Sequence, residues 1–370
     1  MNSDYQILFP GIEWYKITDI VDKIYEGDIN GLSYEFENFI NSIGFSNMDI
    51  YFDLSKNIWS PNEEEQPYWP LFLTIKPKSN ITIYLEPLLR LSKKIELAHA
   101  LRRLFNIIGI FCLCVERFKR EKTIYISLGD WTAEYAIGFN PRTNNAIAIP
   151  DVDYLNSHAY KNIKTKLERN NISWKNKIPE FYWRGDISTS KNDFLSNLVD
   201  YNHKKYCPRI ALITKSKNIS NMNCKIIENF EDEIGTKIID YVKDENIFCK
   251  NVAFEDSNFF RYSFDIDNHS NDWKGLFSKF LFGNTILKVG SHQGFFQWYY
   301  DKLIQWTNFI PIEPDLSDLN EKIDWCISHQ ELCEAIASSG SKLASMLDLK
   351  YSVDQAVCRI MAAPDASIIF

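Results

Sequence analysis

Residues 178–193 read Ile-Pro-Glu-Phe-Tyr-Trp-Arg-Gly-Asp-Ile-Ser-Thr-Ser-Lys-Asn-Asp, and they hold the densest chemistry in the chain. The aromatic run Phe181, Tyr182 and Trp183 predicts a short buried strand. It delivers Arg184 and Gly185 into a turn carrying Asp186, Ser188, Thr189, Ser190 and Lys191. A guanidinium offers phosphate a two-pronged fork, and hydroxyls with free backbone N–H groups fill the remaining acceptor positions. Glycine, lacking a Cβ, lets backbone approach a ligand closely. The segment is a candidate anion cradle. An ordinary surface turn with a structural arginine fits these residues equally well, because short motifs are hypotheses until their context is known. Arg-Gly-Asp is also an integrin-ligand signal in extracellular proteins, but nothing else in the chain has that character.

The elements that position this segment are more legible in the second half of the chain. Strand-like pieces are read at 181–183, 209–213, 285–289 and 308–312, and helix-like pieces at 193–201, 273–282, 297–303, 316–328 and 330–347. That alternation predicts an α/β domain with a parallel sheet, whose ligands bind beyond the carboxyl ends of the strands. Arg184-Gly185-Asp186 falls at such an end, and so does Gly290-Ser291-His292. In the first half, 91–105 has helical periodicity, 123–128 reads as a strand ending at Gly129-Asp130, and 146–149 is a short apolar piece closed by Pro150-Asp151. Residues 1–80 are irregular, with a Pro/Glu loop at 61–67. The lysine-rich stretch 156–177 reads as a helix and connector, and the domain boundary is placed there. The expected division is 1–170, 171–345 and a C-terminal segment 346–370 that packs back on the N-terminal domain.

Composition bounds the partners. The chain has 370 residues, 45% of them hydrophobic and 24% charged, which describes a soluble globular protein of two domains. A net charge of -8 argues against nucleic acid as a partner, since binding a phosphate backbone needs a basic surface. The basic clusters at 117–122 and 161–169 read as solvated helix faces. Aromatics reach 15%, which suits packing and stacking on sugars or bases alike. The eight cysteines show no paired metal-ligand spacing and read as the buried thiols of a cytoplasmic protein. No signal peptide is read at the N-terminus, and the longest apolar run, 107–115, is about half of the ~20 residues a membrane span needs.

Several segments together resemble glycosyltransferase family 90, which includes protein O-glucosyltransferases and capsule and lipopolysaccharide glycosyltransferases. They are Phe181-Tyr182-Trp183-Arg184-Gly185; Asp265-Ile266-Asp267 with 273–283 and 285–290; and Trp298-Tyr299-Tyr300-Asp301 followed by Phe309-Ile310-Pro311-Ile312 and 315–319. The resemblance spans roughly 120–345 and is nearest to the bacterial lipopolysaccharide branch. It implies a GT-B-like architecture, two Rossmann-like domains facing across a cleft, and an inverting, metal-independent transfer with no cofactor. A sugar would move from a nucleotide diphosphate sugar, UDP favoured, to a hydroxyl of a bacterial surface glycan such as lipopolysaccharide core, O-antigen or capsule. The acceptor would be a glycan or lipid-linked glycan, and the enzyme cytoplasmic, peripheral at the inner face of the inner membrane.

The resemblance also implies roles. Asp130, after the strand at 123–128, matches the family's catalytic aspartate and would be the general base. Asp151 and Asp153 compete for that role, with Glu134 behind them, and Trp131 joins them on the acceptor side. Arg184, Gly185, Asp186, Ser188, Lys191, Asp267 and His269 would line the donor, with Trp273 and Lys274 opening a helix toward the diphosphate. Lys279 would add charge there, and His292 is a further candidate. Two departures stand out. Eukaryotic members carry an arginine a few residues after the aromatic-Arg-Gly signature, where this chain has Asn192, and another opening the donor helix, where it has Trp273-Lys274-Gly275. Lysine supplies charge without the planar fork. The alternative is a non-catalytic member that binds a glycan or nucleotide without transfer; a phosphorylase or sugar-nucleotide epimerase is the remaining class.

Overall fold

A computed structural model describes residues 5–26, 29–45, 48–53, 69–89, 93–187, 195–217, 219–227, 248–250, 253–268 and 270–366. The expectations placed on the 61–67 loop, Ser188, Lys191, Asn192 and His269 lie outside the described residues. The chain divides into two compact units. The first comprises 1–159, 296–298 and 347–370; the second comprises 160–295 and 299–346. The division falls upstream of residue 170, so the lysine-rich helix belongs to the second unit, and the C-terminal segment belongs to the first.

The first unit contains α1 (Trp14–Glu26), α2 (Ile29–Ser42), β1 (Asp49–Asp53), β2 (Pro70–Lys76), β3 (Asn80–Tyr84), α3 (Glu86–Leu89), α4 (Lys94–Arg117), β4 (Lys122–Ser127), β5 (Ile137–Gly138), β6 (Ile147–Ala148) and α5 (Val152–Asn156). Its six-stranded sheet runs β1-β3-β2-β4-β5-β6. The β1/β3, β4/β5 and β5/β6 pairs are parallel, while β2 is antiparallel to both its neighbours. The stretch read as irregular therefore folds into helices and strands. Lys78 turns the β2–β3 hairpin with a left-handed φ of 55°.

The helix expected at 91–105 continues through the apolar 107–115 run, making α4 24 residues long. By length and composition this helix could cross a membrane, but 83% of its most apolar window is buried inside the protein. That is the behaviour of a core helix, apolar all round because it is covered all round.

The second unit contains α6 (Lys161–Arg169), β7 (Ile178–Gly185), α7 (Leu195–Val199), α8 (Pro208–Ser216), β8 (Met222–Ile227), β9 (Phe248–Cys249), β10 (Phe260–Asp265), α9 (Gly275–Leu281), β11 (Thr285–Val289), β12 (Ile310–Ile312), α10 (Leu319–Ser328) and α11 (Gln330–Met346). The chain then returns to the first unit as α12 (Leu349–Ala362).

All pairings in the second sheet are parallel, and its order is β12-β11-β10-β7-β8-β9. Counted from β7, this is the 3-2-1-4-5-6 order of a dinucleotide-binding sheet, with its switch point between β7 and β10. Phe181 stacks on Tyr262 with ring centroids 4.4 Å apart, locking those two central strands together.

Three sequence expectations fail here. Residues 209–213 are helical, because Pro208 starts α8 at its first turn and a short apolar run does not by itself separate strand from helix. The 297–303 helix reduces to a 3-10 turn at Tyr300–Lys302. Strands β8 and β10 were not read at all. β10 carries Arg261 and Ser263 within it, and β8 carries Asn223 and Lys225, which breaks the apolar pattern. Two α/β units, each on a six-stranded sheet, make up the composition of a GT-B-like chain.

Candidate functional site

The carboxyl ends of β7, β10 and β11 gather one set of polar groups in the second unit. Gly185 closes β7. A Cβ there would stand 2.6 Å from the Trp183 ring and 3.3 Å from Arg209 Nη1, so the glycine makes room for that guanidinium. Arg209 stands on the first turn of α8, a helix where the sequence predicts a strand, and so is absent from the candidates above. Its Nη1 donates to the Asp186 carboxylate at 2.6 Å and to the Asp186 carbonyl at 2.9 Å, and Nη2 reaches the Ile266 carbonyl at 3.4 Å. Arg209 thus ties the loop after β7 to the loop after β10, across the switch point. Arg209 therefore stands at the switch point, where ligands bind in sheets of this order.

Arg184, by contrast, faces β8. It donates to the Trp183 carbonyl and to both the carbonyl and side chain of Asn223, and lies 4.4 Å over the Tyr182 ring. These contacts brace β7 against β8, and Arg184 and Gly185 belong to β7 itself rather than to the turn expected after it.

Beneath the switch point lies a charge cluster. Lys288 donates to Asp265 at 2.9 Å and Lys279 to the same carboxylate at 3.5 Å, all three being buried. Burial alone would raise the Asp265 pKa; the two ammoniums overcome it and hold it below the usual carboxylate range. Lys279 is therefore engaged inside the protein. Asp267 is buried and accepts from Asn271 at 2.8 Å, while its second oxygen has no hydrogen-bond partner among the described residues. Burial raises its pKa against the opposing pull of Lys288. His292, in the loop after β11, packs between Tyr201 and Tyr206 at 4.7 and 5.0 Å, with Nδ1 buried and without a hydrogen-bond partner among the described residues.

The start of α9 is less inviting to a diphosphate. The helix has seven residues, and the Gly275 N–H is taken by the Asp272 carboxylate at 3.2 Å. Lys274 lies 4.6 Å over the Phe254 ring, and the Trp273 carbonyl accepts from Tyr160.

In the first unit, Asp130 follows β4 in an irregular turn with no helix behind it, so it caps nothing. Its side chain is 55% exposed and pairs with Arg103 Nη2 at 2.7 Å, while Arg103 Nη1 holds the Leu128 carbonyl at 2.7 Å. Arg103 in turn lies 4.7 Å over the Trp69 ring. The result is an accessible carboxylate held at a fixed place. Asp151 is 3% exposed and caps α5 by accepting the Tyr154 N–H at 2.9 Å. Burial, then the neighbouring Asp153, pushes its pKa up to about 7. Asp153 is exposed, Trp131 carries Arg142 at 4.6 Å, and Glu134 accepts from Asn145. Among the described residues no group of three His, Cys, Asp or Glu could hold a metal ion.

The second unit carries a dinucleotide-type sheet with a buried arginine at its switch point, the architecture of a nucleotide-binding domain, and the first is an α/β unit with an exposed strand-end aspartate. The family model of glycosyl transferase family 90 matches residues 143–355, more than half of the sequence, and the chain belongs to that family. The match begins after Asp130, so the base assignment does not rest on it.

Among curated relatives, Protein O-glucosyltransferase 2 of Danio rerio is 24% identical over 240 residues, covering 60% of this chain and 42% of its own. Uncharacterized protein 179R of Invertebrate iridescent virus 6 is 26% identical over 188 residues, covering 46% of this chain and 15% of its own. The chain thus spans less than half of these relatives' length. Among solved structures, Anabaena Alr3699/HepE in complex with UDP-glucose aligns over 55% of this chain and 53% of its own, at 13% identity and a TM-score of 0.32, a loose likeness.

Proposed function

We propose that this chain is an inverting glycosyltransferase that moves a sugar from a UDP-sugar to a glycan hydroxyl without a metal ion. The observation that carries the donor half is Arg209, a buried guanidinium at the switch point of a dinucleotide-type sheet, in a chain of family 90. UDP is favoured as the carrier because relatives are named O-glucosyltransferases and HepE is described with UDP-glucose. In the reaction, the acceptor oxygen forms its bond to the anomeric carbon as the bond to the diphosphate breaks. Asp130 takes the hydroxyl proton, and Arg209 meets the charge that grows on the leaving diphosphate.

For the acceptor, the sequence resemblance favours a bacterial surface glycan, free or lipid-linked, reached from the cytoplasmic face of the inner membrane. The curated relatives named above are vertebrate and viral, and the vertebrate one is named for transfer to protein, so a hydroxyl acceptor is what the two readings share.

Asp130→Asn tests the mechanism. It should lower transfer from UDP-sugar at least 100-fold, the scale of a lost general base, while UDP affinity by calorimetry stays within twofold. Full turnover in this variant would move the base elsewhere; no UDP binding by the wild type would remove the donor assignment and favour the non-catalytic reading.

A further inference from the structure

The Asp186–Arg209 pair is unequal in a way that bears on donor binding. Only 7% of the Arg209 side chain is exposed, against 58% for Asp186. The cation is built into the fold, and the anion is laid over it from the solvent side. The guanidinium is also sparsely met. Nη2 reaches its carbonyl only at 3.4 Å, and Nε is buried without a hydrogen-bond partner among the described residues. A guanidinium has five N–H donors, and burying them unmet is costly, so the site is short of acceptors as it stands. Of the other cations near the switch point, Lys279 and Lys288 share Asp265, and Arg184, whose Nε is likewise without a hydrogen-bond partner among the described residues, gives both its Nη groups to Asn223.

We propose that Asp186 is a built-in stand-in for the donor diphosphate, and so sets how tightly donor is held and how fast product leaves. This rests on the donor-site reading above. In the empty protein its carboxylate occupies the Nη1 edge of Arg209 and neutralises a buried charge. A phosphoryl oxygen of the arriving donor takes that edge, and Asp186, already exposed, turns into solvent. The two anions use the edge alternately, because a carboxylate left against a diphosphate would repel it. When UDP departs, the carboxylate returns, so Arg209 is never left bare and product release is eased. No covalent bond changes in the exchange.

Calorimetric titration with UDP and with uridine tests this, on the wild type, Asp186→Ala, Asp186→Asn and Asp186→Ala combined with Arg209→Ala, each first shown to melt cooperatively. Both Asp186 variants should bind UDP about 10-fold more tightly, the scale of one charge-assisted hydrogen bond. Uridine, which has no phosphate, should gain nothing, and the UDP gain should vanish in the Arg209→Ala background. Weaker or unchanged UDP binding on removing Asp186 would overturn the proposal, as would a gain that survives the loss of Arg209. Wild-type protein that binds no UDP fails the donor reading itself and takes this proposal with it. Wild-type binding without the gain fails the stand-in alone.

Discussion

At the scale of residues, the Arg-Gly pair divides its work in a way its spacing does not reveal. Arg184 looks outward in the sequence, yet it is spent on Asn223, and the cation at the switch point is Arg209. Gly185 is what connects them, since its missing Cβ is the space that Trp183 and Arg209 share. Gly185→Ala should therefore destabilise the protein by about 1–3 kcal/mol through overpacking and weaken UDP binding by displacing Arg209. Urea unfolding and calorimetry on the same variant check both halves; an unaltered UDP affinity would show that Arg209 does not depend on this contact. Arg209 could not be found by reading, because 209–213 is too short an apolar run to tell helix from strand. Only its Pro208 neighbour hinted at a helix start.

At the scale of elements, what limits each is burial of charge. The ends of β10 and β11 bring Asp265 and Lys288 together, and α9 adds Lys279, so two buried ammoniums share one carboxylate within the unit. In the first unit the cap of α5 is costlier. Asp151 holds the Tyr154 N–H but is buried beside Asp153, and its pKa rises to about 7. The folded state then binds more protons than the unfolded state between roughly pH 4, the ordinary aspartate value, and 7. Stability should fall as pH rises through that window and level off above it. Asp151→Asn keeps a good capping side chain but cannot ionise, so its stability should be flatter by a few kcal/mol over the window. Urea midpoints measured from pH 4 to 8 for both proteins decide it; parallel profiles would show that Asp151 is ionised throughout.

At the scale of the molecule, the chain leaves the first unit at 159 and returns to it at 296–298 and again at 347. The last return matters most for stability. Helix α12 buries Val353, Ala356, Val357 and Ile360, Lys122 donates to the carbonyls of Ile360 and Met361, and Arg117 pairs with Asp354 at 2.8 Å. Deleting 347–370 should cost the first unit on the order of several kcal/mol, at ~1.5–3 kcal/mol for each large side chain uncovered. Limited proteolysis of the truncated protein should cut within 5–159 while 160–346 persists; equal resistance in both units would count against the division.

By itself, the sequence determined the class of the second half, the strand at 181–183 and the family, because these rest on local pattern and ordered motifs. Tertiary structure decided which arginine stands at the switch point, that Arg184 is held by Asn223, and that 107–115 is core. Each depends on what a side chain meets far along the chain, and a local pattern carries no record of that.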